Sequence, residues 1–164
     1  MYGLTTGQVA PTAQKGFKSK STPSGIIEVP LNPLTLALSQ GATFVAQGFA
    51  GNVNQVVEVI KEGIMHKGFS LVNILQPCVT FNKVNTYQYY LKHIYNLAND
   101  YQKNNLEDAI KKGMEMTTAE KFPLGILYQV QRPAFTDELT QISETSLREK
   151  PRFINYEKLY PDFL

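Results

Sequence analysis

The stretch Asn52-Val53-Asn54-Gln55-Val56-Val57-Glu58-Val59-Ile60-Lys61-Glu62-Gly63-Ile64-Met65-His66-Lys67-Gly68-Phe69-Ser70-Leu71-Val72-Asn73-Ile74-Leu75 decides the fold class. Behind Asn52, the apolar residues Val53, Val56, Val57, Ile60 and Ile64 recur at helical spacing, and Gly68 follows the last turn as a helix stop. Phe69 to Leu75 is then mostly apolar between Gly68 and Pro77, as a strand covered on both faces is. Upstream, Asn32 and Pro33 offer an N-cap and a first-turn proline for a short apolar helix, Leu34 to Ser39, that Gly41 ends. Thr43-Phe44-Val45-Ala46 follows as a strand. Helix, strand, helix, strand with short joints predicts an α/β domain with a parallel sheet.

Beyond Pro77 the character changes. Cys78-Val79-Thr80-Phe81-Asn82 reads as compact and irregular, and Tyr87 to Leu97 is rich in tyrosine. Leu106 to Met116 reads as a helix with Lys111 and Lys112 near its end, where cations favour the exposed carbonyls. Phe122 to Val130 reads as a short final strand, and the tail from Thr136 is polar. At the other end, residues 1–32 are loop-like, with scattered Gly, Pro, Ser and Thr, and a loop of that length tends to be functional. The expected division is into two structural parts, 1–75 and 76–164.

Composition narrows the classes. The 164 residues suit one domain with a real core, and 43% are hydrophobic against 18% charged. A net charge of +2 argues against a nucleic-acid binder that works by counterion release. No run approaches the roughly 20 apolar residues that span a bilayer, so no membrane partner is expected. The N-terminal residues lack a signal peptide's charged and apolar regions, and the lone cysteine fits a reducing compartment; both point to the cytoplasm. Charge is also unevenly spread. The first 27 residues hold Lys15, Lys18 and Lys20 but no acid, and residues 29–57 hold no formal charge. A long uncharged stretch is covered either by its own fold or by a partner.

Candidate sites are few. His66 and His93 have no metal-ligand neighbour at the usual spacing and Cys78 stands alone, so no zinc site can be assembled. Walker-type and GxGxxG loops are missing, which speaks against a self-contained hydrolase or metalloenzyme. Gly3-Leu4-Thr5-Thr6-Gly7-Gln8 is either a surface turn or a loop whose backbone N–H groups and threonine hydroxyls receive a phosphate. Cys78 is either a small buried apolar residue or a thiolate ligand to a cluster whose other ligands lie elsewhere. His66 reads as a helix C-terminal cation. Tyr87, Tyr89, Tyr90 and Tyr95 read as core or interface packing, with nucleobase stacking the rival.

Several of these segments together resemble one family. Tyr2-Gly3-Leu4-Thr5-Thr6-Gly7-Gln8-Val9-Ala10-Pro11-Thr12 resembles the Tyr-Gly-Leu-Thr-x-Gly-Gln-x-Ser-Pro-Thr signature of 2-oxoacid:ferredoxin oxidoreductase beta subunits. His66-Lys67-Gly68-Phe69-Ser70, Gln76-Pro77-Cys78-Val79-Thr80-Phe81-Asn82 and Pro123-Leu124-Gly125-Ile126-Leu127-Tyr128 are similar to that family's later elements, in the family's order.

The resemblance implies part of a thiamine-diphosphate-binding parallel-sheet domain in 1–75, followed in 76–164 by the C-terminal region of the family's beta subunit. It implies oxidative decarboxylation of a 2-oxoacid to an acyl-CoA, with coenzyme A as acceptor and ferredoxin reduced, alongside an alpha-type subunit. Thiamine diphosphate, Mg²⁺ and a 4Fe-4S cluster are the implied cofactors. By position, the Met1 backbone carbonyl matches a Mg²⁺ ligand, Gly3, Leu4 and Thr5 match cofactor-binding residues, Leu4 and Thr6 match substrate-proximal residues, and Cys78 matches a cluster ligand. Thr6 stands where members that accept 2-oxoglutarate often carry Lys, which leaves the 2-oxoacid open. The family's other cluster cysteines, its Gly-Asp-Gly turn and its Mg²⁺ asparagine lie ahead of the loop and are not in this sequence. The expectation is therefore the C-terminal portion of a beta subunit, inactive alone, with a non-catalytic interaction or assembly module as the alternative.

Overall fold

The structure is a computed structural model that describes residues 7–142, 144–150 and 155–163. Its elements follow from the local chemistry. Asn32 caps helix α1 (Pro33–Ser39), its side-chain oxygen accepting from the N–H groups of Leu34 and Thr35. Strand β1 (Phe44–Phe49) is buried along its whole length. Asn52 caps α2 (Val53–Met65) by accepting from the Gln55 N–H, and β2 (Ser70–Leu75) follows. The tyrosine-rich stretch forms α3 (Tyr87–His93), capped by Thr86, and runs directly into β3 (Ile94–Asn96). Asn105 caps α4 (Leu106–Thr118), and β4 (Phe122–Gln129) closes the sheet.

The four strands lie in the order β2-β1-β4-β3. Strands β1 and β2 pair in parallel, with Phe44 opposite Ser70 and Phe49 opposite Leu75, and β3 and β4 pair in parallel. The α/β expectation holds with one refinement: β4 runs antiparallel to β1, with a register shift between Val45 and Ala46. Alternation along β1 sorts the core into faces. Val45 packs with Leu34, Leu38, Ala109 and Leu127 under α1 and α4. Phe49, on the same side, joins Leu75, Tyr90, Phe122 and Leu124 under α3. Phe44 and Ala46 face Val59 of α2 on the other side.

Two local readings are corrected. The α2 helix forms where its period predicts, but it turns Val59, not the stripe Val53, Val57, Ile60 and Ile64, into the core; those four remain exposed. Close approach decides this rotation. A Cβ on Gly63 would meet the Val72 side chain at 2.9 Å, so the glycine side of the helix lies against the sheet. Lys111 and Lys112 do not serve the end of α4, whose last turn holds no basic residue. Lys111 instead reaches back to Glu107 at 2.8 Å, and Lys112 pairs with Glu115 at 2.9 Å.

Contacts divide the chain into a unit of residues 1–132 and a unit of residues 133–164. Among its described residues the second unit has the short helices Phe135–Glu138 and Tyr156–Leu159, each followed by a 3₁₀ turn. Among the described residues, no helix is long and apolar enough to cross a membrane.

Candidate functional site

The N-terminal loop has no helix or extended strand between Gly7 and Asn32, and backbone hydrogen bonds hold it in shape. Ala13 donates to Ala10, Gly16 to Ile26, Ile26 to Phe17, and Leu31 to Pro11. Ala13 is buried beneath it. Gly7 opens this loop in the left-handed region at φ 78°, and a Cβ placed there would sit 3.6 Å from the Phe81 ring. Loop 7–12 therefore lies against the Cys78 loop, more than 60 residues away in sequence. A cavity of about 170 Å³ between them is lined by Thr12, Gln76, Cys78, Asn82, Asn85, Ile74 and Tyr90.

The Cys78 loop is built to hold one shape. Asn82 is buried, and its side-chain oxygen accepts from the N–H groups of Val84 and Asn85, both at 2.9 Å. Its amide nitrogen donates to the Asn85 side chain at 3.2 Å, and its backbone N–H donates to the Cys78 carbonyl at 3.1 Å. Lys83 folds back to donate to the Val79 carbonyl at 2.6 Å. Pro77 fixes φ immediately ahead of the cysteine. Cys78 itself is half-buried. These contacts limit where its sulfur can go, which a metal ligand requires.

Met1, Gly3, Leu4, Thr5 and Thr6 lie outside the described residues. Of the residues singled out by sequence, Cys78 is described, and it stands beside the continuation of their loop. No group of three or more His, Cys, Asp or Glu able to hold a metal occurs among the described residues. A four-iron cluster takes four thiolates. Cys78 thus fits such a cluster as one corner and not as its whole ligand set.

Of the four tyrosines, Tyr90 is core, Tyr89 packs against it half-buried, Tyr95 is half-buried and Tyr87 is exposed. Tyr90 is 1% exposed, and its ring lies 5.8 Å from Phe49 and 5.4 Å from Phe122 between centroids. Burial, then the neighbouring Tyr89, push its pKa up to about 12, so it stays neutral. Tyr95 donates to Glu115 at 2.5 Å and accepts from Lys112 at 3.1 Å. His66 is the residue at the C-terminal cap of α2, and its Nε2 lies 2.8 Å from the Thr43 hydroxyl, with its ring tilted over Phe44. Thr43 donates its single hydroxyl proton to the Phe69 carbonyl at 3.2 Å.

Sequence reading missed the buried polar chain on the sheet face that the N-terminal loop covers. Gln47 is fully buried in the middle of β1; it donates to the Pro123 carbonyl at 2.8 Å and accepts from the Asn73 amide at 2.6 Å. Its one sequence signal is a polar residue inside an otherwise apolar strand, Phe44-Val45-Ala46-Gln47-Gly48-Phe49.

Comparison with known proteins agrees with this arrangement. Residues 1–74 match the C-terminal TPP-binding domain of thiamine pyrophosphate enzymes, and residues 78–144 match the family described as the C terminal of the pyruvate ferredoxin oxidoreductase beta subunit. A 2-oxoacid:ferredoxin oxidoreductase subunit beta from Saccharolobus solfataricus is 40% identical over 138 residues, which is 79% of this chain and 45% of the relative. Another from Sulfolobus is 37% identical over 168 residues, covering 95% of this chain and 52% of the relative. Among solved structures, a 2-oxoglutarate:ferredoxin oxidoreductase from Magnetococcus marinus, with 2-oxoglutarate, coenzyme A and succinyl-CoA bound, superposes with a TM-score of 0.83 at 33% identity, covering 96% of this chain and 53% of its own. The chain spans about half the length of the curated relatives it matches. Two adjoining family matches and a shared fold converge, and the chain belongs, as a C-terminal portion, to the beta-subunit family of 2-oxoacid:ferredoxin oxidoreductases.

Proposed function

We propose that this chain is part of the beta subunit of a 2-oxoacid:ferredoxin oxidoreductase, taking part in oxidative decarboxylation of a 2-oxoacid to an acyl-CoA with reduction of ferredoxin. Residues 1–75 contribute the C-terminal part of the thiamine-diphosphate-binding domain, and 76–164 the C-terminal region of the beta subunit. The observation that carries the reading is the meeting of the Gly7–Thr12 loop with the Cys78 loop around one cavity. Thiamine diphosphate, when bound, supplies the electron sink for decarboxylation.

The chain's own share is positioning. The Met1 carbonyl would take one Mg²⁺ position, Gly3, Leu4 and Thr5 would bind the diphosphate cofactor, and Leu4 and Thr6 would be the substrate-proximal residues. Phe81 supports the loop at Gly7, and the Asn82 turn holds Cys78 as one ligand of the 4Fe-4S cluster. Mg²⁺ needs several oxygen ligands and the cluster three more thiolates, so the remaining donors come from outside these residues. The assembly is completed by an alpha-type subunit, with ferredoxin as electron acceptor.

The test is anaerobic reconstitution of the complete enzyme containing this chain, followed by CoA-dependent viologen reduction with a panel of 2-oxoacids. Turnover is expected with at least one 2-oxoacid, together with a cluster EPR signal that Cys78→Ala abolishes. A fully cofactor-loaded assembly that is inactive with every 2-oxoacid would refute the reading.

A further inference from the structure

Strand β2 stands at one margin of the sheet, with β1 as its one neighbour among the described residues. In a parallel ladder, alternate residues of a strand bond to one neighbour, and the residues between them face the other side. The Phe44 N–H donates to the Phe69 carbonyl and the Ala50 N–H to the Leu75 carbonyl. Phe69, Leu71, Asn73 and Leu75 therefore serve β1, and the backbone N–H and C=O groups of Ser70, Val72 and Ile74 point out of the sheet. Native edge strands are kept very short, bulged, or guarded by charge or proline. The opposite margin obeys this rule, since β3 is three residues long. β2 does not: Ser70-Leu71-Val72-Asn73-Ile74-Leu75 holds no charge and no proline, and its register with β1 is unbroken. Apolar side chains also occupy both of its faces. Leu71 packs under α1 and α4, Leu75 joins the core under α3, and Val72 meets Phe44 and Ala46 on the other side. That is the pattern of an interior strand in a parallel sheet.

From this edge we infer that β2 is completed by a further strand, parallel to it, from the half of the beta subunit that the relatives possess and this sequence does not contain. The inference rests on the reading of this chain as part of a longer beta subunit, and not on the reaction. Length supports the occupant. This chain accounts for 45% and 52% of the two relatives and 53% of the solved chain, and both families that it matches are described as C-terminal. A comparable N-terminal length is therefore there to supply a strand. Direction follows from the site. β2 runs into Gln76-Pro77-Cys78, and open α/β sheets bind ligands outside the carboxyl ends of their strands. A parallel neighbour carries the residues that follow it to that same end, beside Cys78 and the Gly7 loop. There the proposed cluster still needs thiolates and Mg²⁺ still needs oxygens. A second copy of this chain fits less well. It would pair β2 with β2 antiparallel about a two-fold axis, and Cys78 is the one cysteine it could bring.

Hydrogen exchange at residue resolution on the complete beta subunit tests the edge. The amides of Ser70, Val72 and Ile74 are expected to exchange at least about 100-fold more slowly than in an unstructured peptide, as those of Leu71 and Asn73 do through β1. Unprotected Val72 and Ile74 beside protected Leu71 and Asn73 overturn the inference. A crystal structure of the complete subunit identifies the occupant. A parallel strand of the N-terminal half bonded to Ser70, Val72 and Ile74 is expected; an antiparallel strand, a second copy of this chain or a bare edge overturns it. Turnover enters neither measurement. An assembly inactive with every 2-oxoacid refutes the proposed reaction and leaves the strand in place, whereas a bare edge in an active enzyme overturns the strand alone.

Discussion

At the residue scale, Gly68 shows how tightly the α2–β2 joint is made. Its φ of 125° suits glycine, and a Cβ there would lie 2.5 Å from the Thr43 hydroxyl and 3.3 Å from His66 Nε2. Gly68→Ala therefore strains the backbone and breaks the His66–Thr43 hydrogen bond together. We expect a loss of about 2–4 kcal/mol in urea unfolding, more than Thr43→Val, which removes the hydrogen bond alone at about 1–2 kcal/mol. Equal losses would show that the joint does not need glycine. The sequence reading placed Gly68 correctly as a stop. It also placed His66 at the helix end, where it is the C-cap, but a motif contains no information about the Thr43 hydroxyl opposite it, 23 positions away.

At the element scale, α4 is tied to β3 through Tyr95, whose hydroxyl donates to Glu115 and accepts from Lys112, an ion pair within the helix. Burial opposes ionisation of Glu115, but hydrogen bonds from Tyr95 and Lys112 outweigh it and hold the pKa below the ordinary 4.5. A carboxylate with a lowered folded pKa stabilises fully above its unfolded value, and that stabilisation is lost as pH falls through the folded one. On the alkaline side, Glu115 and then Tyr95 push the Lys112 pKa up to about 12, so the pair stays charged. Glu115→Gln is expected to cost about 1 kcal/mol at neutral pH, since the pair is only partly screened from water. The difference from wild type should vanish in acid below the ordinary carboxylate range. A difference that persists at low pH would mean that packing, not charge, is lost. Asn32 makes a second tie: its amide donates to the Gly113 carbonyl at 2.8 Å while its oxygen caps α1, so one side chain sets the α1–α4 distance.

At the scale of the whole molecule, the sheet is held crosswise by the buried chain Asn73–Gln47–Pro123, which links β2, β1 and β4 through side chains as well as backbone. Gln47→Leu keeps similar volume but leaves the Pro123 carbonyl and the Asn73 amide without partners in the interior. The expected cost is about 2–4 kcal/mol by chemical denaturation. A neutral effect would mean that apolar packing alone closes this sheet.

Helices α1, α2 and α4 and some of their boundaries were legible in the sequence because they depend on neighbours: Asn32, Asn52 and Gly68 each act within a few residues, and period marked α2, whereas α3, β3 and the caps Thr86 and Asn105 were not read. Within the uncharged stretch 29–57, β1 is buried along its length, while Val29, Leu31, Leu36, Val53 and Val57 remain exposed. What stayed hidden depends on distance in sequence. Period cannot say which side of α2 meets the sheet, because that is decided by where Gly63 can approach Val72. Nor can it say that β4 returns antiparallel beside β1, since strand pairing is a choice among partners whose hydrogen-bonding edges are chemically alike. The sequence by itself determined the α/β class, the family and the residue types of the site. Only the tertiary structure decided that the Gly7 loop meets the Cys78 loop around one uncharged cavity, because that contact is made by packing between segments with no local signal for one another.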